Sequence, residues 1–378
     1  MNRTKNISII GLSDIIGSAI SAIFWFYLAT LLSPEGYGKI FYFLGLAGLV
    51  SSISSVGTQS VVTVYTAKRI QVNSEIYFIT LSITSTAAIV MILFTQRVDV
   101  GLLMLGYVVF NLTVGQVLGE RNYKKYAYFS LLQKSLALVC GLTFYFTYGI
   151  EFVIYGLALS YVFHMYVILK KIKFREFNFN ELRRRWKFVF SNYINNLSNG
   201  FNGQIDKLVI APFFGFTILG NYSLAVQVIL VLLTIPNIAY KYLLSEELAK
   251  TDNKKFKKQI CVIAGFLTII GISITPMIIP TLFPMYIDSI ESIMIMSLAI
   301  LPMTLSKIYL VNLLKHEKGF LVLSGTLISI TGFILGIIIL GGVFGSIGIA
   351  ITFVVSLVSQ MIFFYVADRT IAKKTTIS

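Results

Sequence analysis

Apolar residues run along this chain in blocks of about 20, broken by short polar or basic intervals. A helix that rises 1.5 Å per residue needs about 20 apolar residues to cross ~30 Å of hydrocarbon. Twelve blocks of that length are legible, near residues 7–32, 40–65, 76–95, 101–119, 126–147, 150–169, 187–214, 219–240, 259–282, 289–307, 320–340 and 344–367. The expected fold class is an all-α polytopic membrane protein with twelve transmembrane helices. The first block follows Arg3 and Lys5 as a signal peptide would. It runs on to Leu32, longer than a signal's apolar core, and is expected to be a retained helix.

Composition agrees with the blocks. The chain is 56% hydrophobic and 12% charged, about half the charge of an ordinary globular domain. This excludes a soluble enzyme, a disordered chain and a disulfide scaffold. Cys140 and Cys261 lie in apolar runs with no CxxC or metal spacing, so core packing is expected of them. The net charge of +15 matters through its placement. With the N-terminus inside, the even-numbered connections and the two tails hold 27 of the 31 Lys and Arg residues. The outer connections hold Lys39 and Arg97, and Lys134 and Lys207 fall within spans. This asymmetry predicts both termini on the cytoplasmic side of the cytoplasmic membrane. The basic clusters orient the chain and contact anionic membrane lipids. Nucleic acid is not expected as a partner, because no basic surface interleaved with aromatics stands outside the membrane.

The chain reads as doubled. Leu28–Leu46 and Val209–Val228 align without gaps at an offset of 182, which sets Ala29 on Ala211 and Gly38 on Gly220. In both, a tight outer turn precedes a Tyr-bearing helix start. The expected organisation is a six-helix bundle over 1–170, a basic cytoplasmic linker over 171–187 and a second six-helix bundle over 188–378 with a cytoplasmic tail. Parallel repeats of this kind commonly flank a central substrate cavity.

Polarity inside the spans is concentrated. Asn192, Asn195, Asn199, Asn202 and Asp206 are spaced 3, 4, 3 and 4, which keeps them on one helix face. Asn196, Gly200, Gly203 and Lys207 form a neighbouring stripe. In hydrocarbon such amides must meet water or partner helices, so the stripe reads as a cavity wall, with a polar helix–helix seam as the alternative. Asp14, Ser18, Ser21 and Trp25 make a companion stripe in the first span; Ser51, Ser55 and Gln59 follow in the second. Spans nine to twelve are nearly all apolar and read as scaffold.

Four charged residues fall well inside the ends of the spans: Asp14, Lys134, Asp206 and Lys207. Intramembrane charges are candidates for function because an unpaired one is costly. Neighbours in sequence point about 100° apart on a helix, so Asp206 and Lys207 are expected to pair with other helices, Asp206 with Lys134 for one. His164 is expected at the interface. Six of seven prolines lie in the second half, where they suit kinks or ordinary helix ends. Gly115 with Gly119 and Gly332 with Gly336 are expected to pack within the chain.

No phosphate-binding loop, GxSxG, HExxH or CxxC is present. No cofactor, metal site or enzymatic activity is expected, and any work must come from a gradient or from substrate flux.

The blocks SPEGYG (Ser33 to Gly38), QIDKLVIA (Gln204 to Ala211) and LGNYSLA (Leu219 to Ala225) resemble the polysaccharide flippases of the multidrug/oligosaccharidyl-lipid/polysaccharide exporter superfamily. SPEGYG (Ser33 to Gly38) is similar to the turn after their first helix. VGTQ (Val56 to Gln59) through AKR (Ala67 to Arg69) resembles the end of their second. QIDKLVIA (Gln204 to Ala211), Gly215 and LGNYSLA (Leu219 to Ala225) resemble their most recognisable block, and FPMY (Phe283 to Tyr286) sits where they carry a related motif. The resemblance implies two six-helix bundles around a central hydrophilic cavity. It also implies movement of a polyprenyl-diphosphate-linked oligosaccharide by alternating access, with further polysaccharide-assembly proteins as partners. Asp206 falls on the family's span-seven Asp; Lys134 and Lys207 are the candidate cations for a diphosphate.

The residues alone support a secondary transporter with a polar cavity, lined by Asn192, Asn195, Asn199, Asn202, Asp206, Lys207, Lys134, Asp14, Ser18, Ser21 and Gln59. With the resemblance, the expected activity is flipping of a lipid-linked oligosaccharide. The alternatives are a cation-coupled drug exporter of the same superfamily and, from another class, a membrane enzyme acting on polyprenyl-linked sugars.

Overall fold

The structure, a computed structural model, describes residues 3–172, 177, 179–248, 254–316 and 318–377. Helices account for almost all of them, and no strand occurs among the described residues. The order is α1 (Arg3–Leu31), α2 (Pro34–Ser54), α3 (Gln59–Ala67), α4 (Asn73–Thr95), α5 (Val98–Gly119), α6 (Tyr123–Tyr148), α7 (Val153–Leu159), α8 (Val162–Leu169), α9 (Phe179–Arg184) and α10 (Trp186–Leu232). Then come α11 (Thr234–Leu248), α12 (Lys254–Leu282), α13 (Ile290–Ser297), α14 (Ile300–Lys315) and α15 (Gly319–Ile377).

Local chemistry sets several of these ends. Ser33 caps α2 by accepting from the Gly36 amide at 3.3 Å, and Pro34 occupies the first turn, where its missing N–H is no loss. Glu35 follows at the positive end of the helix. Thr58 caps α3 by accepting from the Val61 amide at 3.3 Å. The second expected span, 40–65, is therefore two helices, α2 and α3, with a break at Ser55–Thr58. In that break the Gly57 amide donates to Thr80 Oγ1 at 2.9 Å.

Among the described residues, ten helical stretches are long and apolar enough to cross a membrane. Two of them contain a sharp bend at a glycine. Gly215 in α10 has φ 86° and Gly345 in α15 has φ 57°, conformations that a side chain disfavours. Each bend divides one stretch into two limbs, which recovers the twelve expected crossings. The bends are at glycines rather than at Pro212, Pro276 or Pro280, which lie inside helices.

The chain forms two compact units. The first comprises Met1–Phe24 and Tyr42–Gln204; the second comprises Trp25–Phe41 and Ile205–Ser378. The boundaries between these units fall inside α1, α2 and α10. In the first unit α5 is central and packs on α3, α4, α7 and α8. Gly115 and Gly119 bring α5 onto α3: a Cβ at Gly115 would lie 2.7 Å from the Gln59 carbonyl oxygen. Val61, Tyr77, Val108 and Leu112 are buried at this junction. In the second unit α14 packs on α15, α12 and α11, and α13 packs on α12 and α15.

Arg97 ties the first unit together beyond the ends of α4. Its Nη2 and Nε lie 2.7 and 3.1 Å from the buried Asp99 carboxylate, its Nη1 lies 2.6 Å from Glu151, and its guanidinium covers the Phe43 ring at 4.6 Å. Lys39 pairs with Glu35 at 2.8 Å. These are the two cations that charge asymmetry assigns to the outer side, and both are neutralised locally.

Candidate functional site

In the first unit, the first limb of α10 lies along α2. Asn196 Nδ2 donates to the Ser52 carbonyl at 3.3 Å and the Tyr193 hydroxyl donates to the Ile53 carbonyl at 2.7 Å. A Cβ at Gly200 would overlap Ser52, and one at Gly48 would lie 2.9 Å from the Gln204 amide. The stripe of Asn196 and Gly200 is thus a helix–helix seam, in which a glycine permits close approach and an amide is satisfied by a backbone carbonyl. The other stripe begins with Asn192, which is half-buried and donates back to the Phe188 carbonyl at 2.9 Å. Asn195, Asn199 and Asn202 belong to the same helix; their side chains lie outside the described residues. Their positions are offset from the seam by about 100° of helix rotation.

Asp14 and Lys134 both lie where α1 meets α6. The Tyr126 hydroxyl donates to Asp14 Oδ1 at 2.8 Å. One turn further on, the Lys134 stem runs beside Gly17, 3.6 Å from where a Cβ would stand. Ser18 is exposed, Ser21 half-buried and Gln59 exposed. Tyr126 went unnoticed in the sequence because a lone Tyr at a helix start carries no periodic signal.

The second unit holds the charged end of the α10 stripe. Asp206 is 8% exposed and accepts from the Tyr222 hydroxyl at 3.1 Å, and Lys207 Nζ lies 3.2 Å from Asp206 Oδ1. This corrects two expectations. Adjacent residues were expected to point apart, and the cation of Asp206 was expected from another helix. The four-carbon stem of Lys207 is long enough to fold back to its neighbour, and the partner from beyond the Gly215 bend is a tyrosine.

Two further expectations are corrected. Lys307 closes the expected span 289–307, but α14 continues to Lys315, so Lys307 lies inside a membrane-spanning stretch and bonds to Asn237. Spans nine to twelve, read as nearly all apolar scaffold, thus carry a cation in Lys307. His164, expected at the interface, is fully buried among the rings of Phe110, Phe129, Phe163 and Tyr161. Gln116 serves as a clip: it accepts from Tyr77 and Thr66, and its Nε2 donates to Glu120 at 2.7 Å. Among the described residues no three His, Cys, Asp or Glu side chains gather as a metal site.

Three sequence blocks with no obvious common purpose meet in the second unit. A Cβ added at Gly38 would overlap the Phe216 carbonyl oxygen, and one added at Gly220 would overlap that of Pro34. Tyr37 meets Tyr286 edge to face at 5.9 Å, and the Tyr286 hydroxyl donates to the Leu32 carbonyl at 3.0 Å. Phe283 meets Phe26 at 5.8 Å. The turn at 33–38, the block around 204–225 and the FPMY segment therefore build one junction, with glycines where backbones cross.

Solved structures share this fold. An inward-facing multidrug resistance MATE family transporter of the MOP superfamily has a TM-score of 0.70 at 14% identity, over 96% of this chain and 95% of that one. The lipid II flippase MurJ in an inward closed conformation has a TM-score of 0.75 at 13% identity, over 95% of this chain and 87% of that one. A MOP superfamily transporter from Pyrococcus furiosus has a TM-score of 0.62 at 14% identity, over 98% and 96%. No curated protein sequence matches. The fold is all-helical and multi-pass, as expected from the twelve apolar blocks, and it is shared with solved transporters of the MOP superfamily. Residues 98–286 match the family described as polysaccharide biosynthesis protein, and the chain belongs to that family.

Proposed function

We propose that this protein flips a polyprenyl-diphosphate-linked oligosaccharide across the cytoplasmic membrane by alternating access, with both termini on the cytoplasmic side. The observation that carries the reading is the match to a polysaccharide biosynthesis family on a chain with the MOP transporter fold. The amides of Asn192, Asn195, Asn199 and Asn202 offer both donors and acceptors, as sugar hydroxyls require. Lys134 and Lys207 are the proposed cations for the diphosphate, and Lys207 exchanges Asp206 for it. Asp14, Ser18, Ser21 and Gln59 complete the proposed polar path. No step of this reading makes or breaks a covalent bond.

The test is leaflet exchange in proteoliposomes. A fluorescent polyprenyl-diphosphate sugar is compared with an amphiphilic cation, each followed by access to a membrane-impermeant quencher. Protein-dependent exchange of the lipid-linked sugar alone is expected, with the sugar linkage intact afterwards. Exchange of the cation alone would replace the flippase by the drug exporter, and a cleaved or extended sugar would replace it by an enzyme. Replacing Asn199 and Asn202 together by Leu is expected to abolish exchange while leaving membrane insertion unchanged.

A further inference from the structure

At one end of the first unit, α3 stops at Ala67, and Arg69 turns the chain through a positive φ of 56°. Beside it, α9 gives way to α10 at Arg185. The two endings enclose a pocket of about 460 Å³ whose rim carries Lys68, Arg184, Arg185 and Lys187. Its apolar wall is formed by Val64, Ile70 and the Phe188 ring, which lies 5.5 Å from the Tyr65 ring.

The described residues that line the pocket include four cations and no carboxylate. Glu181 holds Arg185 at 2.7 Å and lies 3.9 Å from Arg184. Among the described residues, no carboxylate pairs with Lys68 or Lys187. The start of α10 adds the partial positive charge of a long helix. Tyr65, one of the residues that line the pocket, is 3% exposed, and its buried hydroxyl has no hydrogen-bond partner among the described residues. A buried donor without an acceptor is uncommon and costly. The exposed Trp186 and Phe190, four residues apart on α10, suit the level of a bilayer interface.

We propose that this pocket is a binding site for the phosphate-bearing head of a lipid. Lys68, Lys187 and Arg184 would meet the anionic oxygens, the Tyr65 hydroxyl would donate to one of them, and the apolar wall would take the adjoining part of the lipid. Phosphate fits better than carboxylate, because its several anionic oxygens can engage separate cations and a hydroxyl at once. A site with cations and an apolar wall suits a head that stays attached to a chain. The proposal concerns binding and stands whether or not the protein flips a sugar-bearing lipid.

The full-length protein in phosphatidylcholine nanodiscs is titrated separately with inorganic pyrophosphate, decaprenyl diphosphate and phosphatidylglycerol. Affinity and deuterium-exchange protection over residues 64–70 and 184–191 are recorded. Saturable binding with protection of both segments is expected, weakening as salt rises. Saturation by the two diphosphates alone assigns the head of a carrier lipid; saturation by phosphatidylglycerol alone assigns a bilayer phospholipid. Replacing Lys68 and Lys187 together by Gln is expected to weaken binding about tenfold or more. Tyr65→Phe is expected to weaken it as well while leaving the melting temperature of the ligand-free protein unchanged or higher. Wild-type affinity in either variant, or no saturable binding of any probe, overturns the proposal.

Discussion

Gly38 and Gly220, 182 positions apart in the sequence, lie against each other's helices in a reciprocal contact. The Gly220 amide nitrogen is 2.9 Å from where a Gly38 Cβ would stand. Gly38 faces the carbonyl of Phe216, and Gly220 faces the carbonyl of Pro34, which is the counterpart of Phe216 at the same offset. Each half of the repeat thus supplies one glycine and one carbonyl. Gly38→Ala and Gly220→Ala should each destabilise the protein by about 2 kcal/mol through overpacking. Because one separation of the helices relieves both clashes, the double variant should cost less than the sum. Thermal unfolding in detergent measures this; strict additivity would argue against a shared crossing.

Asp206 sits between a cation and a phenol, and the two partners differ in weight. Asp206→Asn removes the carboxylate of the largely buried Lys207 and should cost about 3 kcal/mol. Tyr222→Phe leaves the ion pair in place and should cost about 1 kcal/mol. The same unfolding assay ranks them, and the reverse order would show that the phenol, not the lysine, holds the carboxylate.

Arg97 should not tolerate lysine. The buried Asp99 takes two of its guanidinium donors, and an ammonium cannot reproduce that fork while also reaching Glu151. A loss of about 2 kcal/mol is expected for Arg97→Lys. Glu151→Gln, at an exposed position, should be nearly neutral. Equal stability of Arg97→Lys and wild type would remove the fork from the account.

Glu120, just beyond the membrane-spanning part of α5, has a pH signature. Burial raises its carboxyl pKa, but hydrogen bonds from Gln116 and Lys171 outweigh burial and hold it below the ordinary value. A carboxyl depressed in the folded state contributes stability that is present above its unfolded pKa and is lost as pH falls through the folded pKa. The fall in melting temperature between neutral and acid pH should therefore be smaller in Glu120→Gln than in wild type. An identical pH dependence in the two would show that Glu120 is not linked to folding.

Much of this architecture was legible because hydrocarbon imposes a length on any helix that crosses it. The equivalence of Gly38 and Gly220 was legible because two unrelated-looking turns aligned without a gap, but their contact was not. What escaped lay across helices. The 3, 4, 3, 4 spacing of the α10 stripe says which positions share a face, but not that Asn196 would meet the Ser52 carbonyl or that Tyr126 and Tyr222 would reach Asp14 and Asp206. A long side chain also defeats face arithmetic, as Lys207 does by folding back on its neighbour. Lys307 escaped because a hydropathy window closes at a charge, whereas its helix has eight more residues to Lys315.

The glycine crossing has the geometry of an isologous dimer interface, in which each partner presents the same patch to the other. In a homodimer every substitution would be made twice. In one tandem chain the copies drift separately: where the second carries Asp206 and Lys207, the first carries Phe24 and Trp25 at the matching positions. The seam keeps its twofold form at the glycines, while a charged pair stands at one position of the repeat and an aromatic pair at the matching one.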